Sequence, residues 1–243
     1  MFTTNLSEPV SNSGDYPLFA PTVVPATPRA ATITPARRDE TALADVLRHP
    51  DIWRRGSTKA PRSDALSTGL ADLDALLPGG GWPRGALSEI LVAEDGLGEC
   101  SLLLPVLATL TQARKRVVLV APPYVPYAPA LAAAGVDLTQ LVHIDAAASD
   151  THWTAEQCLR AGCCGAVLNW LPRSDYRQLR RLQLAAETGG TFGFVFRPLS
   201  AAHEASPAAL RLRLEPGETQ PRLEILKCRG RFGEPSHALG LRA

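Results

Sequence analysis

Hydrophobic positions along this chain follow two patterns that alternate from residue 65 onward. Short runs such as LSEILVA, RVVLVA, LVHI, GAVLNWL and TFGFVFR are apolar at almost every position, as in strands buried on both faces of a sheet. Between them, apolar residues recur every three or four positions, at about 98–113, 126–134 and 153–161 and in DYRQLRRLQLAAE. This alternation predicts an α/β fold with a doubly wound, mainly parallel sheet and helices on both faces.

The pattern changes at both ends of this region. Two closing strands, ALRLRL and PRLEILK, flank the turn EPGETQ and predict an antiparallel hairpin. Residues 1–38 are rich in Ser, Thr, Pro and Ala, and this composition predicts a disordered tail. Residues 39–64 combine a short amphipathic segment, TALADVLRHPDIWRR, with a polar linker. The predicted organisation is a tail at 1–38, a helical segment and linker at 39–64, and a core with its hairpin at 65–243.

Composition and charge exclude few function classes. Lys and Arg number 25 against 24 Asp and Glu, and the net charge of +1 gives no global attraction for nucleic acid or anionic lipid. The first residues lack the features of a signal peptide and no apolar run is long enough to span a bilayer, so we expect a cytoplasmic protein. The five cysteines fit neither a disulfide framework nor a paired metal site. We therefore expect reduced, mostly buried thiols and no metal.

A loop after the first strand has the frame of a phosphate-binding loop. In G-x-x-x-x-G-K-[ST], backbone N–H groups surround the phosphates, the Lys neutralises them and the hydroxyl holds Mg²⁺. Here AEDGLGEC keeps Gly98, but Ala93 replaces the first Gly, Glu99 the Lys and Cys100 the hydroxyl residue. A unit-charge pair at ~4 Å and an effective dielectric constant of ~20 is worth about 4 kcal/mol, so Glu99 should abolish useful triphosphate affinity. The alternative is a strand–loop–helix turn that never bound phosphate.

The residues around this loop resemble the core of the RecA recombinase family. The resemblance is carried by STGLADLD and PGGGWPRGALSEI and continues in matching order to about Leu226. It implies a RecA-like fold, with a catalytic Glu after the second core strand and an Asp at the end of the strand GAVLNW. This chain has Pro123 at the first position and Asn169, followed by Trp170, at the second. The resemblance therefore implies a retired active site, with no catalytic residue, no ATPase activity and no nucleotide cofactor.

Two catalytically silent families resemble the chain more closely. The stretches SLLLPVLATLTQ, GVDLTQLVHI, GAVLNWLPRSD and FGFVFRPLSA are similar to the SulA cell-division inhibitors and to the ImuA proteins of bacterial mutagenesis cassettes. The leading ALADVLRHPDIWRR, the stretch STGLADLDALLPGGGWPRGALSE and the final hairpin with ILKCRGR favour ImuA, because SulA-type chains end soon after the segment matching FRPLSAAHEAS. The resemblance to ImuA implies a non-catalytic adaptor in SOS-type, error-prone translesion DNA synthesis, associated with the nucleoid after DNA damage.

That resemblance also implies the partners. They are ImuB, a polymerase-like protein without polymerase activity, RecA and, through ImuB, a mutagenic polymerase α subunit. The alternative is a SulA-like division inhibitor that binds an FtsZ-type protein. Membrane binding and strong direct DNA binding are not expected. The segments in the place of RecA's DNA-binding loops, near LPRSD and SAAHEASP, are short and nearly neutral.

Two sets of side chains are candidate partner-binding surfaces. The segment TALADVLRHPDIWRR has the place of the element that packs on the neighbouring subunit in RecA-type filaments, although it could instead fold back on its own domain. The run KCRGR resembles the K-x-K that reaches the neighbour's ATP in RecA, although such residues could simply be solvated. The candidates are Leu43, Val46, Leu47, Ile52 and Trp53 in the first set and Lys227, Arg229 and Arg231 in the second.

Overall fold

The computed structural model describes residues 65–217 except 95 and 97, residues 221–230 and residues 239–240. The predicted tail, helical segment and linker lie outside the described residues. The same holds for Leu43, Val46, Leu47, Ile52, Trp53 and Arg231. What the sequence predicts for those positions stays a prediction.

Within the described residues, eight strands form one sheet in the order β3-β2-β4-β5-β1-β6-β7-β8. The pairs from β3 to β6 are parallel, whereas β7 pairs antiparallel with β6 and with β8. This confirms the predicted α/β fold with a mainly parallel sheet and a C-terminal hairpin. The strands are β1 Ala86–Val92, β2 Arg116–Val120, β3 Leu141–Ile144, β4 Cys164–Trp170, β5 Phe192–Pro198, β6 Leu210–Glu215, β7 Arg222–Cys228 and β8 Leu239–Gly240.

Helices cover both faces of this sheet, as predicted. On one face, Val106 and Leu107 of α2 pack into an apolar layer with Ile90 of β1. On the other face, α4 and α5 pack into a second layer through side chains such as Leu159 and Leu182. The helices of the described residues are α1 Ala71–Leu76, α2 Leu104–Gln112, α3 Ala128–Ala133, α4 Thr151–Arg160 and α5 Tyr176–Gly189. None of them has the length and apolar content needed to cross a membrane.

The sequence fixes both ends of α5 through local contacts. At the start, Asp175 accepts a hydrogen bond from the Gln178 N–H at 2.8 Å, and Gln178 accepts one from the Asp175 N–H at 2.9 Å. At the end, Gly190 has φ +60°, a conformation that glycine adopts without strain. The helix therefore begins and ends where its polar residues and glycine indicate.

The stretch that leads into β1 is joined to the core. Leu66 and Trp82 exchange backbone hydrogen bonds of 3.1 and 2.7 Å. Trp82 is fully buried and meets Phe194 edge to face, with ring centroids 5.1 Å apart. Gly81 makes this approach possible, because a Cβ at that position would lie 2.1 Å from the Leu66 oxygen. Residues 65–84 are therefore part of the folded core.

Candidate functional site

The loop at residues 93–100 leaves the carboxyl end of the central strand β1. It leads into a 3₁₀ turn, Ser101–Leu103, and then into α2. Gly96 and Gly98 both have φ +91°, in the left-handed region that favours glycine. The predicted strand–loop–helix frame is therefore present, with glycines at the positions where the backbone turns.

The carboxylate of Glu99 lies inside this loop. Its Oε1 and Oε2 accept the Gly96 N–H at 3.1 and 3.2 Å, and the residue is 7% exposed. In a phosphate-binding loop, N–H groups of this kind face phosphate oxygens. Glu99 thus takes up a donor that such a loop would offer to a ligand. The neighbouring Ala93 and Cys100, by contrast, are exposed.

The two other positions that the resemblance to RecA singles out carry no carboxylate. Pro123 lies in an exposed loop after β2. Asn169 is buried near the end of β4, and neither its Oδ1 nor its Nδ2 has a hydrogen-bond partner among the described residues. The next residue, Trp170, stacks on Phe196 at 4.8 Å between ring centroids. In the described part of the chain, no group of three or more His, Cys, Asp or Glu side chains could hold a metal ion.

A buried ion-pair network crosses the centre of the sheet near this loop. Glu89 of β1 is 1% exposed. Its Oε1 accepts a hydrogen bond from Nη1 of Arg197 at 2.8 Å, and its Oε2 accepts one from Nε of Arg211 at 2.6 Å. Such contacts compensate charges that would otherwise be very costly to bury. The network therefore joins β5, β1 and β6 through side chains as well as through the backbone.

The same arginines reach the loops above the sheet. Arg197 donates from Nη2 to the carboxylate of Glu204 at 2.7 Å and to the Ser174 carbonyl at 3.0 Å. Arg211 donates to the Ala201 carbonyl at 2.8 Å and the Glu204 carbonyl at 3.1 Å. Burial acts to lower the pKa of Arg197, but hydrogen bonds to Glu204 and Glu89 outweigh it and raise that pKa. The segments near LPRSD and SAAHEASP are thus held by the charged network.

One histidine lies beside these loops. Nε2 of His152 is 3.0 Å from Oγ of Ser174. Burial lowers the pKa of His152; the charges of Arg181 and Arg197 act in the same direction, and the charge of Asp175 acts against them. The ring is therefore held in its neutral form to lower pH than an exposed histidine.

The loop between β2 and α3 presents large apolar side chains to solvent. Tyr124 is 71% exposed, Val125 83% and Tyr127 73%, the highest values among the large hydrophobic side chains of the described residues. Trp153 and Tyr176, at the start of α4 and α5, are 61% and 52% exposed. This exposed run is not among the surfaces predicted from the sequence. The available signal was the run PPYVPYAP, in which aromatic residues interrupt a series of prolines.

The predicted basic pair at the end of β7 is engaged within the chain. Nζ of Lys227 donates a hydrogen bond to the Ser206 carbonyl at 2.7 Å. Burial lowers the pKa of Lys227, and the charges of Arg229 and Arg211 lower it further. Nη1 of Arg229 lies 3.8 Å from Oε1 of Glu187, in a side chain that remains 59% exposed. Both residues thus lie at one end of the hairpin, and each has an internal contact.

The cysteines differ from the prediction of mostly buried thiols. Cys100 and Cys163 are exposed, and the other three are half-buried. Sγ of Cys163 lies 3.9 Å from Sγ of Cys164, where burial raises the pKa of the Cys164 thiol to about 12. Cys163 precedes β4, and Cys164 lies at the start of that strand, before its buried residues begin. Both thiols line a cavity of about 260 Å³ beside Lys115.

Comparison with known proteins finds a similarity in the central part of the chain. Residues 85–193 match the family model for the cell division inhibitor SulA. This central part of the chain is similar to SulA. It is 35% identical over 78 residues to the SulA of Photorhabdus laumondii, covering 32% of this chain and 44% of that protein. It is 28% identical over 131 residues to the SulA of Yersinia pestis, covering 54% and 78%. The match therefore spans less than half of the Photorhabdus relative.

A solved structure of SulA from Pseudomonas aeruginosa also aligns with this chain. The alignment covers 46% of this chain and 97% of that structure, at 23% identity and a TM-score of 0.39. A score this low adds nothing to the match in sequence. The predicted relationship to SulA is confirmed over residues 85–193. The narrower assignments, to ImuA and to a RecA-like fold, stay predictions.

Proposed function

We propose that this chain is a non-catalytic regulator of the SulA type that restrains cell division by binding an FtsZ-type division protein. The single observation that carries the proposal is the match of residues 85–193 to the model of the SulA cell-division inhibitors. Relatives named as cell division inhibitors match 32% and 54% of the chain. In this role the chain would act in the SOS response to DNA damage.

The loop after β1 supports the non-catalytic part of this proposal. The Glu99 carboxylate engages the Gly96 N–H, where a nucleotide phosphate would need a free donor and a nearby cation. Pro123 and Asn169 offer neither the base nor the carboxylate that ATP hydrolysis needs. Binding to a partner, without turnover of ATP, is then the activity that remains for this core.

A second candidate is the adaptor of translesion synthesis, with ImuB and RecA as partners and a mutagenic polymerase α subunit reached through ImuB. The observation that favours it lies outside the SulA match. Residues 65–84 are joined to the core through Leu66 and the buried Trp82, and β6 extends the sheet beside β1. These additions are the stretches that resemble ImuA and the RecA-like core. In this role the chain would associate with the nucleoid after DNA damage.

A pair of assays in the native host separates the two candidates. Overproduction of the chain without DNA damage should produce filamentous cells if it inhibits division. Deletion of its gene should instead lower the damage-induced mutation frequency if it serves translesion synthesis. The purified chain is then titrated with the host's FtsZ-type protein, RecA and ImuB. Filamentation together with FtsZ-type binding supports the first candidate. Normal division with binding of RecA or ImuB replaces it with the second, and binding of none overturns both.

Variants of the two predicted surfaces refine this experiment. Trp53→Ala should weaken binding to RecA or ImuB at least about tenfold if the segment at 39–64 contacts a partner, because Trp is a frequent interface anchor. The pair Lys227→Glu and Arg229→Glu should weaken binding and flatten its salt dependence if the hairpin meets an acidic surface. Arg180→Glu, on the exposed face of α5, is the charge-reversal control. Wild-type binding by both variants would locate the interface elsewhere.

A further inference from the structure

The β2–α3 loop, residues 121–127, exposes three large apolar side chains. Tyr124, Val125 and Tyr127 are each more than 70% exposed. The helix that follows, Ala128–Ala133, has no buried residue. Contiguous exposed apolar groups of this kind mark interaction sites in soluble proteins. Packing among the described residues therefore leaves this feature unexplained.

The loop is also held in shape. Pro122, Pro123 and Pro126 fix their own φ angles and restrict the residues before them. At one end the Ala121 N–H donates to the Ile144 carbonyl at 2.9 Å, and at the other the Ala130 N–H donates to the Tyr127 carbonyl at 3.1 Å. A loop restrained in this way loses little conformational entropy when it binds. Its apolar side chains are thus presented in a form ready for docking.

The residues of the loop and those that flank it along the chain indicate the chemistry of a partner. No Asp, Glu, Lys, Arg or His occurs from Val117 to Val136. A nucleic acid or an anionic membrane requires basic side chains, and the loop offers none. Extended proline-rich segments with exposed rings are bound by apolar, aromatic-lined grooves on proteins. An uncharged apolar groove with polar groups at its rim for the two tyrosine hydroxyls is the complementary surface.

We infer that the β2–α3 loop is the main partner-binding element of this chain and inserts Tyr124, Val125 and Tyr127 into an uncharged apolar groove of a protein partner. The inference rests on the proposed function, because it names the surface through which the regulator acts. It differs from the two surfaces predicted from the sequence, which lie at residues 39–64 and at the end of β7. Binding through this loop should depend little on salt, since no charge takes part.

The test uses the full chain with Tyr124, Val125 and Tyr127 all changed to Ser. The matched control is Leu184→Ser, which removes a 42% exposed apolar side chain from α5. Each protein is titrated by calorimetry with the host's FtsZ-type protein, RecA and ImuB, and is mixed with neutral phosphatidylcholine vesicles. We expect the triple variant to bind at least about thirtyfold more weakly, as for anchors at an interface centre. The control should stay within about twofold of the wild type, like most surface substitutions.

Each outcome of this test decides the inference. Loss of binding in the triple variant alone, with a wild-type Kd that changes less than about threefold between ~0.05 and ~0.3 M NaCl, supports it. Equal binding by the wild type and the triple variant overturns the inference about the loop and leaves the proposed function unaffected. Binding of the wild type to none of the three proteins overturns the proposed function, and the loop inference falls with it. Loop-dependent binding to vesicles without protein binding replaces the protein groove with a lipid surface.

Discussion

Two regions of the molecule reverse the usual distribution of side chains. Around β1, the charges of Glu89, Arg197 and Arg211 are buried. After β2, apolar side chains such as Tyr124 and Val125 are exposed. In the first region each charge has a partner within the chain, because an unpaired buried charge would destabilise the fold. In the second the apolar groups remain exposed in the part of the chain that the structure describes. The buried charges therefore hold the fold together. The exposed apolar side chains are the basis for inferring a partner-binding surface.

Glu89→Gln should give the largest effect. The substitution keeps the shape of the side chain but leaves the buried Arg197 and Arg211 without their central counter-charge. Breaking a buried pair in this way costs about 3–5 kcal/mol, which lowers the thermal midpoint by about 6–20 °C for a chain of this length. Calorimetric or circular-dichroism melting measures the change. Glu204→Gln is the control, since Glu204 pairs with the same arginine from a side chain 55% exposed. Equal loss in both variants would contradict a special role for the buried partner.

Glu99→Lys is the intermediate case, because Glu99 is a buried charge whose partner is a backbone N–H. Loss of that bond should destabilise the chain by about 1–3 kcal/mol. We expect no ATPase activity in the variant, since Cys100, Pro123 and Asn169 are unchanged. Melting curves and a phosphate-release assay measure the two parts. The wild type should show no heat of binding with Mg-ATP. Turnover in the variant would show that a single substitution restores the phosphate-binding loop.

Replacement of Tyr124, Val125 and Tyr127 by Ser should change stability less than Glu89→Gln or Glu99→Lys does. This holds although the replacement removes more apolar area than either of those substitutions. The side chains are already largely in water, so the expected change is within about 1 kcal/mol. Chemical unfolding with urea checks this expectation at unchanged m-value. Leu182→Ser, a buried change on α5, provides the contrast and should destabilise the chain by several-fold more. A large loss in the triple variant would mean that the loop packs within the chain.

The smallest effect concerns the dependence of stability on pH. Burial lowers the pKa of His152 from its usual value of 6.5, so the unfolded chain takes up this proton before the folded chain does. The contribution of His152 to the free energy of unfolding is fully present above about pH 6.5 and is lost as the pH falls below that value. His152→Gln should therefore flatten the decline in unfolding free energy between about pH 7 and pH 5. His143→Gln, at an exposed position on β3, is the control. An unchanged slope in His152→Gln would remove this histidine from the explanation.

How far the sequence predicts the fold is seen in two elements. The alternation of apolar residues predicted α5, and its Asp175 and Gly190 determine where it begins and ends. The turn EPGETQ likewise predicted the hairpin of β6 and β7. Both depend on neighbours within a few residues, whose effect on the backbone is nearly independent of the rest of the chain. The loop after β1 was predicted for the same reason, because its glycines and flanking pattern are local.

The sequence by itself determined the alternation of strands and helices from β1 to β7, and it predicted Glu99 at the lysine position of a phosphate-binding loop. Only the tertiary structure decided what the charges and rings do. Glu89 and its arginines are separated by 108 and 122 residues, and no local pattern pairs them. From the sequence, Glu99 is expected to repel a phosphate. In the folded loop, its carboxylate accepts a hydrogen bond from the Gly96 N–H. The exposure of Tyr124 likewise depends on which surfaces other elements cover. Burial and pairing are properties of contacts between distant segments, so they are settled only when the chain is folded.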